Sequence, residues 1–169
     1  MTTHCHRKAA PQDVGCAVVT VSDTRSEADD LSGAGIRAQL EGAGYPVRSY
    51  AIVPDDSGAI RGALTRALER ADTLAVIMNG GTGVAPRDVT IESIAHLWTK
   101  ELPGFGELFR ALSYAEIGPP AFLSRATAGI QGGKFVAVLP GSPGACRLAM
   151  ERLILPELVH VAALLAGAP

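Results

Sequence analysis

Short apolar runs alternate with amphipathic segments along this chain, and most of the runs end in a polar or glycine-rich turn. Apolar β-branched runs are typical of buried strands, whereas apolar residues three or four positions apart are typical of helices. We predict strands at 15–21, 47–53, 74–78, 123–130 and 134–139, and helices at 32–43, 58–70, 90–99, 104–112 and 142–163, the last kinked or divided at Pro156. This order predicts an α/β fold, a three-layer α/β/α sandwich with a mostly parallel sheet. The glycine turn between the last two strands predicts a hairpin, and so one antiparallel strand.

The 169 residues are enough for one domain. We predict a flexible polar tail at residues 1–13 and a single domain at 14–169. The core must be built from aliphatic residues, because aromatic residues make up only 5% of the sequence.

Charge and hydropathy exclude several partners and locations. The net charge is −2 and no run of Lys or Arg occurs, so we expect neither nucleic acid nor an anionic membrane surface as a partner. The N-terminus lacks the apolar centre of a signal peptide, and no apolar stretch reaches the roughly 18 residues of a membrane helix. We therefore expect a soluble, cytoplasmic protein. The cysteines include no CxxC pair, which argues against a zinc ribbon.

Polar loops follow four of the predicted strands. They begin at Ser22, Pro54, Asn79 and Pro140. In a parallel sheet these loops lie at the carboxyl edge, where ligands of open α/β sheets bind. Two of the loops are glycine-rich and precede helices. Backbone N–H groups in such turns bind phosphate without a basic side chain. A tight turn explains either loop alone, but two together favour a binding site.

Asp55 and Asp88 are the carboxylates in these loops that helix capping does not require. Asp56 or Ser57 can cap the second helix, and Thr90 can cap the third. Carboxylates beside a phosphate site repel the ligand unless a divalent cation lies between them, and magnesium takes one or two carboxylates plus phosphate oxygens. Asp29 and Asp30 are expected in a solvated loop.

Three common site patterns are not supported. The sequence has no GxxxxGK[ST] phosphate loop and no GxSxG nucleophile turn. The segment 33–38 matches GxGxxA, but an acidic loop separates it from the preceding strand, which argues against dinucleotide binding. The arginines Arg87, Arg110 and Arg125 are weak candidates for phosphate contacts, because surface arginines are common.

The order of several motifs resembles one family. NGGTGVAPRDVT at 79–90 is similar to the GGTG…RDxT signature of molybdenum cofactor biosynthesis proteins of the MoaB and MogA type. VTVSDTR at 19–25, DDLSGAG at 29–35, VPDD at 53–56, PGFGELFRALS at 103–113, LSRATA at 123–128 and LPGSPGAC at 139–146 also fit. The resemblance covers about residues 15 to 165, and the segments 29–33 and 107–118 look closer to the MoaB branch.

The resemblance implies an adenylyltransferase that uses Mg²⁺ and ATP to adenylylate molybdopterin, preparing it for molybdate insertion. It also implies a homo-oligomer, either a trimer or a hexamer. Matched motif by motif, Asp55 and Asp88 are the catalytic acids and magnesium ligands. The substrate-binding residues are Ser22, Gly80, Gly81, Thr82, Gly83, Ser113, Pro140, Gly141 and Ser142. Thr20 and Ser32 lie in the first-loop motifs.

A molybdopterin-binding protein without transferase activity is the alternative, since the same pocket serves both. Molybdate insertion is a third function, but proteins that perform it carry this domain within a much longer chain.

Overall fold

The computed structural model describes residues 13–167. The helices are α1 (Leu31–Gly42), α2 (Ser57–Glu69), α3 (Thr90–Ile94), α4 (Pro103–Ile117), α5 (Pro143–Ala149) and α6 (Leu155–Leu165). The strands are β1 (Cys16–Val21), β2 (Val47–Val53), β3 (Ala75–Asn79), β4 (Lys100–Glu101), β5 (Thr127–Gln131) and β6 (Lys134–Leu139). Residues 1–12 of the tail predicted at 1–13 lie outside the described residues, and Asp13 forms an ion pair with Arg48.

The six strands form one sheet in the order β2-β1-β3-β6-β5-β4. Strands β1, β2, β3 and β6 are parallel, and β5 pairs antiparallel with both β6 and β4. The predicted mostly parallel sheet with one antiparallel strand is therefore confirmed. The carboxyl ends of β1, β2, β3 and β6 consequently lie along one edge.

Helices cover both faces of the sheet, as predicted. The alternate residues of β1 show the division, because Cys16 and Val18 pack with α1, α4, α5 and α6, whereas Ala17 and Val19 pack with α2 and α3. Strands that are buried on both faces must be apolar along their length, which explains the β-branched runs.

Several predicted boundaries are wrong, for local reasons. Residues 119–123 form a 3₁₀ helix after the Pro119–Pro120 pair, so β5 begins at Thr127 and not at 123. Helix α3 ends at Ile94, and the short edge strand β4 was not predicted. Helix α4 runs past 112 to Ile117 and ends at Gly118, whose φ of 69° suits glycine.

The predicted division of the last helix is confirmed. A π-helical turn at Met150–Ile154 separates α5 from α6, and Pro156 lies in the first turn of α6. Proline fits there because the first helical N–H groups have no partner within the helix. The wider turn thus accommodates Pro156 within an otherwise continuous segment.

Candidate active site

A cleft of about 520 Å³ lies at the carboxyl edge of the parallel strands. Loops after β1, β3 and β6 line it, together with α4 and the 3₁₀ helix at 119–123. All nine residues predicted to bind substrate line this cleft: Ser22, Gly80, Gly81, Thr82, Gly83, Ser113, Pro140, Gly141 and Ser142. Asp88 lines it too. Asp55 does not, and it lies behind Gly81.

The turn after β3 requires glycine at two successive positions. Gly80 has a φ of 96° and Gly81 a φ of 61°. A Cβ at Gly80 would lie 2.1 Å from the carbonyl oxygen of Val21, and one at Gly81 would lie 2.2 Å from Thr90 Oγ1. The backbone here approaches its neighbours as only glycine allows.

Two glycine turns meet at the inner wall of the cleft. The Gly80 N–H donates to Leu139 O at 3.1 Å, and a Cβ at Gly141 would lie 3.3 Å from the Cα of Gly80. Ser142 then caps α5, its Oγ accepting from Ala145 N–H at 3.3 Å, as predicted. The turn that leads into α5 therefore places the polar backbone groups of Gly141 and Ser142 beside the cleft.

Asp23, Asp55 and Asp88 form a cluster with Arg87 beside the glycine turn, here called the lip, and of these four residues only Asp88 lines the cleft itself. The Asp55 N–H donates to Asp23 Oδ1 at 3.2 Å, and Arg87 forms an ion pair with Asp23. Partial burial raises the pKa of Asp55, the charges of Asp23 and Asp88 raise it further, and Arg87 opposes them. Negative charge is thus concentrated at the lip and only partly neutralised.

The predicted helix cap after β2 is confirmed, but the predicted helix cap after β3 is wrong. Asp56 Oδ1 accepts from Ala59 N–H at 2.8 Å and caps α2, which leaves Asp55 free of that duty. The predicted Thr90 cap is wrong, because Thr90 Oγ1 donates to Gly80 O at 2.9 Å and holds the glycine turn. Asp88 Oδ2 accepts from Ala85 N–H at 2.9 Å within its own loop.

Asp30 is buried, so the expectation of a solvated loop at this residue is wrong. Its side chain is 1% exposed, and it caps α1 by accepting from Gly33 N–H at 2.9 Å. The hydroxyl groups of Thr20 and Tyr50 also donate to it. Burial would raise the pKa of Asp30, but these three hydrogen bonds outweigh it and hold the pKa below its ordinary value.

Asp30 is the N-cap of α1, so the helix begins at Leu31, one residue before the predicted start at 32. A Cβ at Gly33 would lie 2.1 Å from Asp30 Oδ2, so glycine there makes room for the carboxylate. Ser32 is buried, and its hydroxyl donates to Gly141 O at 2.8 Å, which ties the start of α1 to the turn after β6. The segment 33–38 lies within α1, which agrees with the predicted helix at 32–43.

Arg125 braces the loop between the glycine turn and α3. Its guanidinium donates to Thr82 O at 2.9 Å and to Asp88 O at 3.3 Å, and it is paired with Glu92. Among the three arginines considered from the sequence, Arg125 is therefore committed to protein contacts. Two long-range carbonyl contacts of this kind leave no pattern in the sequence.

An apolar wall on the far side of the cleft was not predicted. It consists of Phe109, Ile117, Pro120, Ala121 and Leu123. These residues come from α4 and from the 3₁₀ helix, of which only Leu123 lay within the predicted strand at 123–130. The cleft thus has one polar wall and one apolar wall, a combination common in sites for ring-containing ligands.

The family profile described as "Probable molybdopterin binding domain" matches residues 17–160. The chain belongs to this family. It is 52% identical to molybdenum cofactor biosynthesis protein B of Bacillus anthracis, over 92% of this chain and 93% of the relative. The resemblance to the MoaB branch inferred from the motifs is thereby confirmed.

Solved structures of the family have the same fold. A crystal structure of molybdenum cofactor biosynthesis protein B is 50% identical and superposes with a TM-score of 0.90, covering 94% of this chain and 99% of that one. A tungsten cofactor synthesizing protein MoaB from Pyrococcus furiosus is 40% identical, with a TM-score of 0.85 over 95% of this chain and 100% of that one. Within residues 13–167, no helix has the length and apolar character needed to cross a bilayer.

Proposed function

We propose that this protein acts in molybdenum cofactor biosynthesis by transferring AMP from Mg-ATP to molybdopterin. The family and the names of its relatives support the ligand class. The adenylyl transfer rests chiefly on one observation, which is that a lip of crowded carboxylates borders the glycine turn after β3. Carboxylates in that position are unfavourable for an anionic ligand unless a cation accompanies it.

The proposed reaction joins two anions. The terminal phosphate of molybdopterin attacks the α-phosphorus of ATP, a phosphoanhydride bond forms, and the bond to pyrophosphate breaks. The attacking oxygen is already ionised at neutral pH, so no strong general base is required. The protein must position the two phosphates and offset their repulsion.

Asp55 and Asp88 are the residues that would hold magnesium. Within residues 13–167 no three His, Cys, Asp or Glu side chains are arranged to hold a metal ion by themselves. Magnesium suits such a sparse site, because it takes one or two carboxylates and completes its shell with phosphate oxygens and water. When bound, it would neutralise charge on the phosphates.

The glycine turns would bind phosphate groups, and the apolar wall would contact a planar ring. Backbone N–H groups from Gly81 to Gly83 are candidates for phosphate donors, whereas that of Gly80 already donates to Leu139 O. Ser113 is buried in α4 and lines the same cleft, so its hydroxyl is a candidate ligand contact.

A single assay tests this proposal. Purified protein is incubated with molybdopterin and Mg-ATP, and adenylylated pterin is measured by chromatography. Asp88→Asn removes the charge but keeps an oxygen for the Ala85 N–H, so we expect the rate to fall about 100-fold or more with little change in pterin binding. Glu69→Gln, an exposed change at the end of α2, serves as the matched control.

Two other outcomes redirect the proposal. If the parent protein binds molybdopterin but forms no product, the binding-protein alternative replaces the transferase. If Asp88→Asn loses binding and rate in equal measure, Asp88 acts in binding and not in the transfer.

We also propose a homo-oligomer, a trimer or a hexamer. Tyr114, Ile117 and Phe122 are between 60% and 76% exposed, on α4 and the adjoining 3₁₀ helix. Large exposed apolar side chains close together indicate a protein interface. Light scattering on the purified protein distinguishes a monomer from the two assemblies.

A further inference from the structure

Asn79 stands at the end of β3, where an apolar row of side chains becomes polar. Ala75 and Ile77 face the α1 and α4 side of the sheet, and Asn79 continues that row. Thr20 is its neighbour in the register of β1. Both side chains are 1% exposed, yet both line the cleft. They form part of its floor.

A charged group fixes the direction of the hydrogen bonds at this floor. The carboxylate of Asp30 only accepts, so Thr20 must donate its single hydroxyl proton to Asp30. The oxygen of Thr20 is then left to accept, and Asn79 Nδ2 donates to it at 2.9 Å. The amide nitrogen of Asn79 therefore points at Thr20, and its Oδ1 points the other way.

The Oδ1 atom of Asn79 has no hydrogen-bond partner among residues 13–167. This oxygen is not sealed from solvent. A side chain that is 99% buried thus presents one acceptor atom, and that atom opens onto the cleft. Buried polar atoms normally have partners, so an acceptor held this way is suited to a ligand.

We propose that Asn79 Oδ1 is a specificity-determining acceptor that binds an N–H donor of the ligand, and that Asp30 is the positioning residue that fixes its direction through Thr20. The proposal rests on the proposed function for the identity of the ligand. Molybdopterin carries amino and ring N–H groups at its pterin end and acceptor oxygens at its phosphate end.

An acceptor at the floor favours one orientation of such a ligand. Asn79 Oδ1 would repel a phosphate oxygen and attract the N–H edge of the pterin. The pterin ring would then lie at the floor beside Phe109, and the phosphate would lie nearer the lip with Asp55 and Asp88. This arrangement agrees with the direction that the proposed transfer needs.

The test compares Asn79→Leu with Tyr50→Phe. The leucine is similar in size but has no acceptor, whereas Tyr50→Phe removes a different donor to Asp30 and leaves the Thr20 bond in place. Binding of molybdopterin is measured by pterin fluorescence, and ATP binding is measured in parallel. We expect Asn79→Leu to weaken pterin binding about 10-fold or more, with ATP binding and the Tyr50→Phe control changed much less.

Discrimination between two small probes sharpens the result. Lumazine has an oxygen where pterin has its 2-amino group. Lumazine keeps ring N–H groups, so the comparison tests the 2-amino group as the donor to Asn79. The parent protein should prefer pterin, and Asn79→Leu should lose most of that preference. Asn79→Ala serves the same purpose if the leucine variant does not fold, as judged by thermal unfolding.

The role of Asp30 is tested by a double-mutant cycle. In Asp30→Asn, an amide replaces the obligate acceptor, so the Asn79 amide is no longer fixed. We expect KM for molybdopterin to rise several-fold with kcat little changed, and no further rise when Asp30→Asn is added to Asn79→Leu. If Asp30 has only a structural role, Asp30→Asn should cause the same loss in the parent protein and in Asn79→Leu. That result would exclude the positioning role.

The two proposals fail in different ways. Pterin binding and pterin preference that are unchanged in a folded Asn79→Leu variant overturn the role of Asn79, whatever the transferase assay shows. A parent protein that binds pterin, responds to Asn79→Leu and forms no product overturns only the transferase. A parent that binds no pterin overturns both.

Discussion

Asp30 and Asp55 are both carboxylates at the carboxyl edge of the same sheet, but their surroundings are opposite. Asp30 is buried and accepts three hydrogen bonds, from Gly33, Thr20 and Tyr50, which lower its pKa. Asp55 is half-buried, and its own burial and the carboxylates around it raise its pKa. The carboxylate of Asp30 beside the floor of the cleft is therefore satisfied by protein donors, whereas the lip is left with unneutralised charge.

The difference indicates what each carboxylate does. A charge that the protein has already paired contributes to stability and to the direction of neighbouring hydrogen bonds. A charge that the protein leaves among like charges lowers stability and can interact with a cation from solution. Perturbed carboxylates of the second kind are the ones expected at functional sites.

The largest effect is expected for Asp30→Ala. The change leaves the hydroxyls of Thr20 and Tyr50 and the N–H of Gly33 without their acceptor. We expect the free energy of unfolding to fall by about 3 kcal/mol or more, since each unsatisfied buried donor costs about 1–3 kcal/mol. Urea denaturation measures it, with Asp55→Ala as the control, which should change by less than about 0.5 kcal/mol. Equal losses in both variants would mean that the hydrogen bonds of Asp30 add no more to stability than the surroundings of Asp55.

A second test adds a methyl group to the glycine turn between floor and lip. In Gly80→Ala the new Cβ meets the carbonyl oxygen of Val21, and alanine disfavours a φ of 96°. We expect a loss of about 2 kcal/mol in unfolding free energy, together with weaker pterin binding.

Gly35→Ala provides the matched control for that substitution. Gly35 lies within α1, and a Cβ there meets nothing within 4 Å. Alanine should stabilise the helix by about 0.5–1 kcal/mol. A Gly80→Ala variant as stable as the parent protein would show that the turn is more adaptable than its geometry indicates.

A smaller effect is expected from Arg125, which holds the loop between the glycine turn and α3. Arg125→Gln removes the hydrogen bonds to the carbonyl groups of Thr82 and Asp88. We expect the unfolding free energy to fall by about 1 kcal/mol, because the pairing partners are only partly buried. Arg61→Gln, an exposed change on α2, is the control. If Arg125→Gln weakens transfer without loss of stability, Arg125 contacts the ligand directly.

The smallest predicted effect concerns the pH dependence of stability, and its sign differs between floor and lip. The lowered pKa of Asp30 contributes stability that is present above its ordinary value of 3.8 and is lost as pH falls through the folded pKa. The raised pKa of Asp55 acts in reverse, since its contribution is present below 3.8 and is lost as pH rises through the folded pKa.

Urea denaturation of Asp30→Asn and Asp55→Asn between pH 3 and pH 7 measures both signs. The deficit of Asp30→Asn relative to the parent should shrink as pH falls. Asp55→Asn should be as stable as the parent at pH 7, or a few tenths of a kcal/mol more stable, and should lose that advantage at pH 3.

Much of the fold followed from local pattern. The apolar runs predicted β1, β2, β3 and β6 nearly to the residue, because strands buried on both faces tolerate little else. Boundaries failed where proline and glycine acted through specific turns, as at residues 119–123. The edge strand β4 was missed because two exposed residues, Lys100 and Glu101, leave no hydrophobic pattern to detect.

The sequence by itself determined the four parallel strands and the antiparallel strand β5, the edge at which the polar loops meet, and the glycine turns and acids of those loops, since side-chain alternation and glycine conformation are local properties. Only the tertiary structure decided that Asp30 is buried while Asp55 is crowded, and that Asn79 presents an acceptor to the cleft. Burial and hydrogen-bond direction depend on residues far apart in the chain, such as Thr20 and Asn79, and no spacing in the sequence specifies which of them will meet.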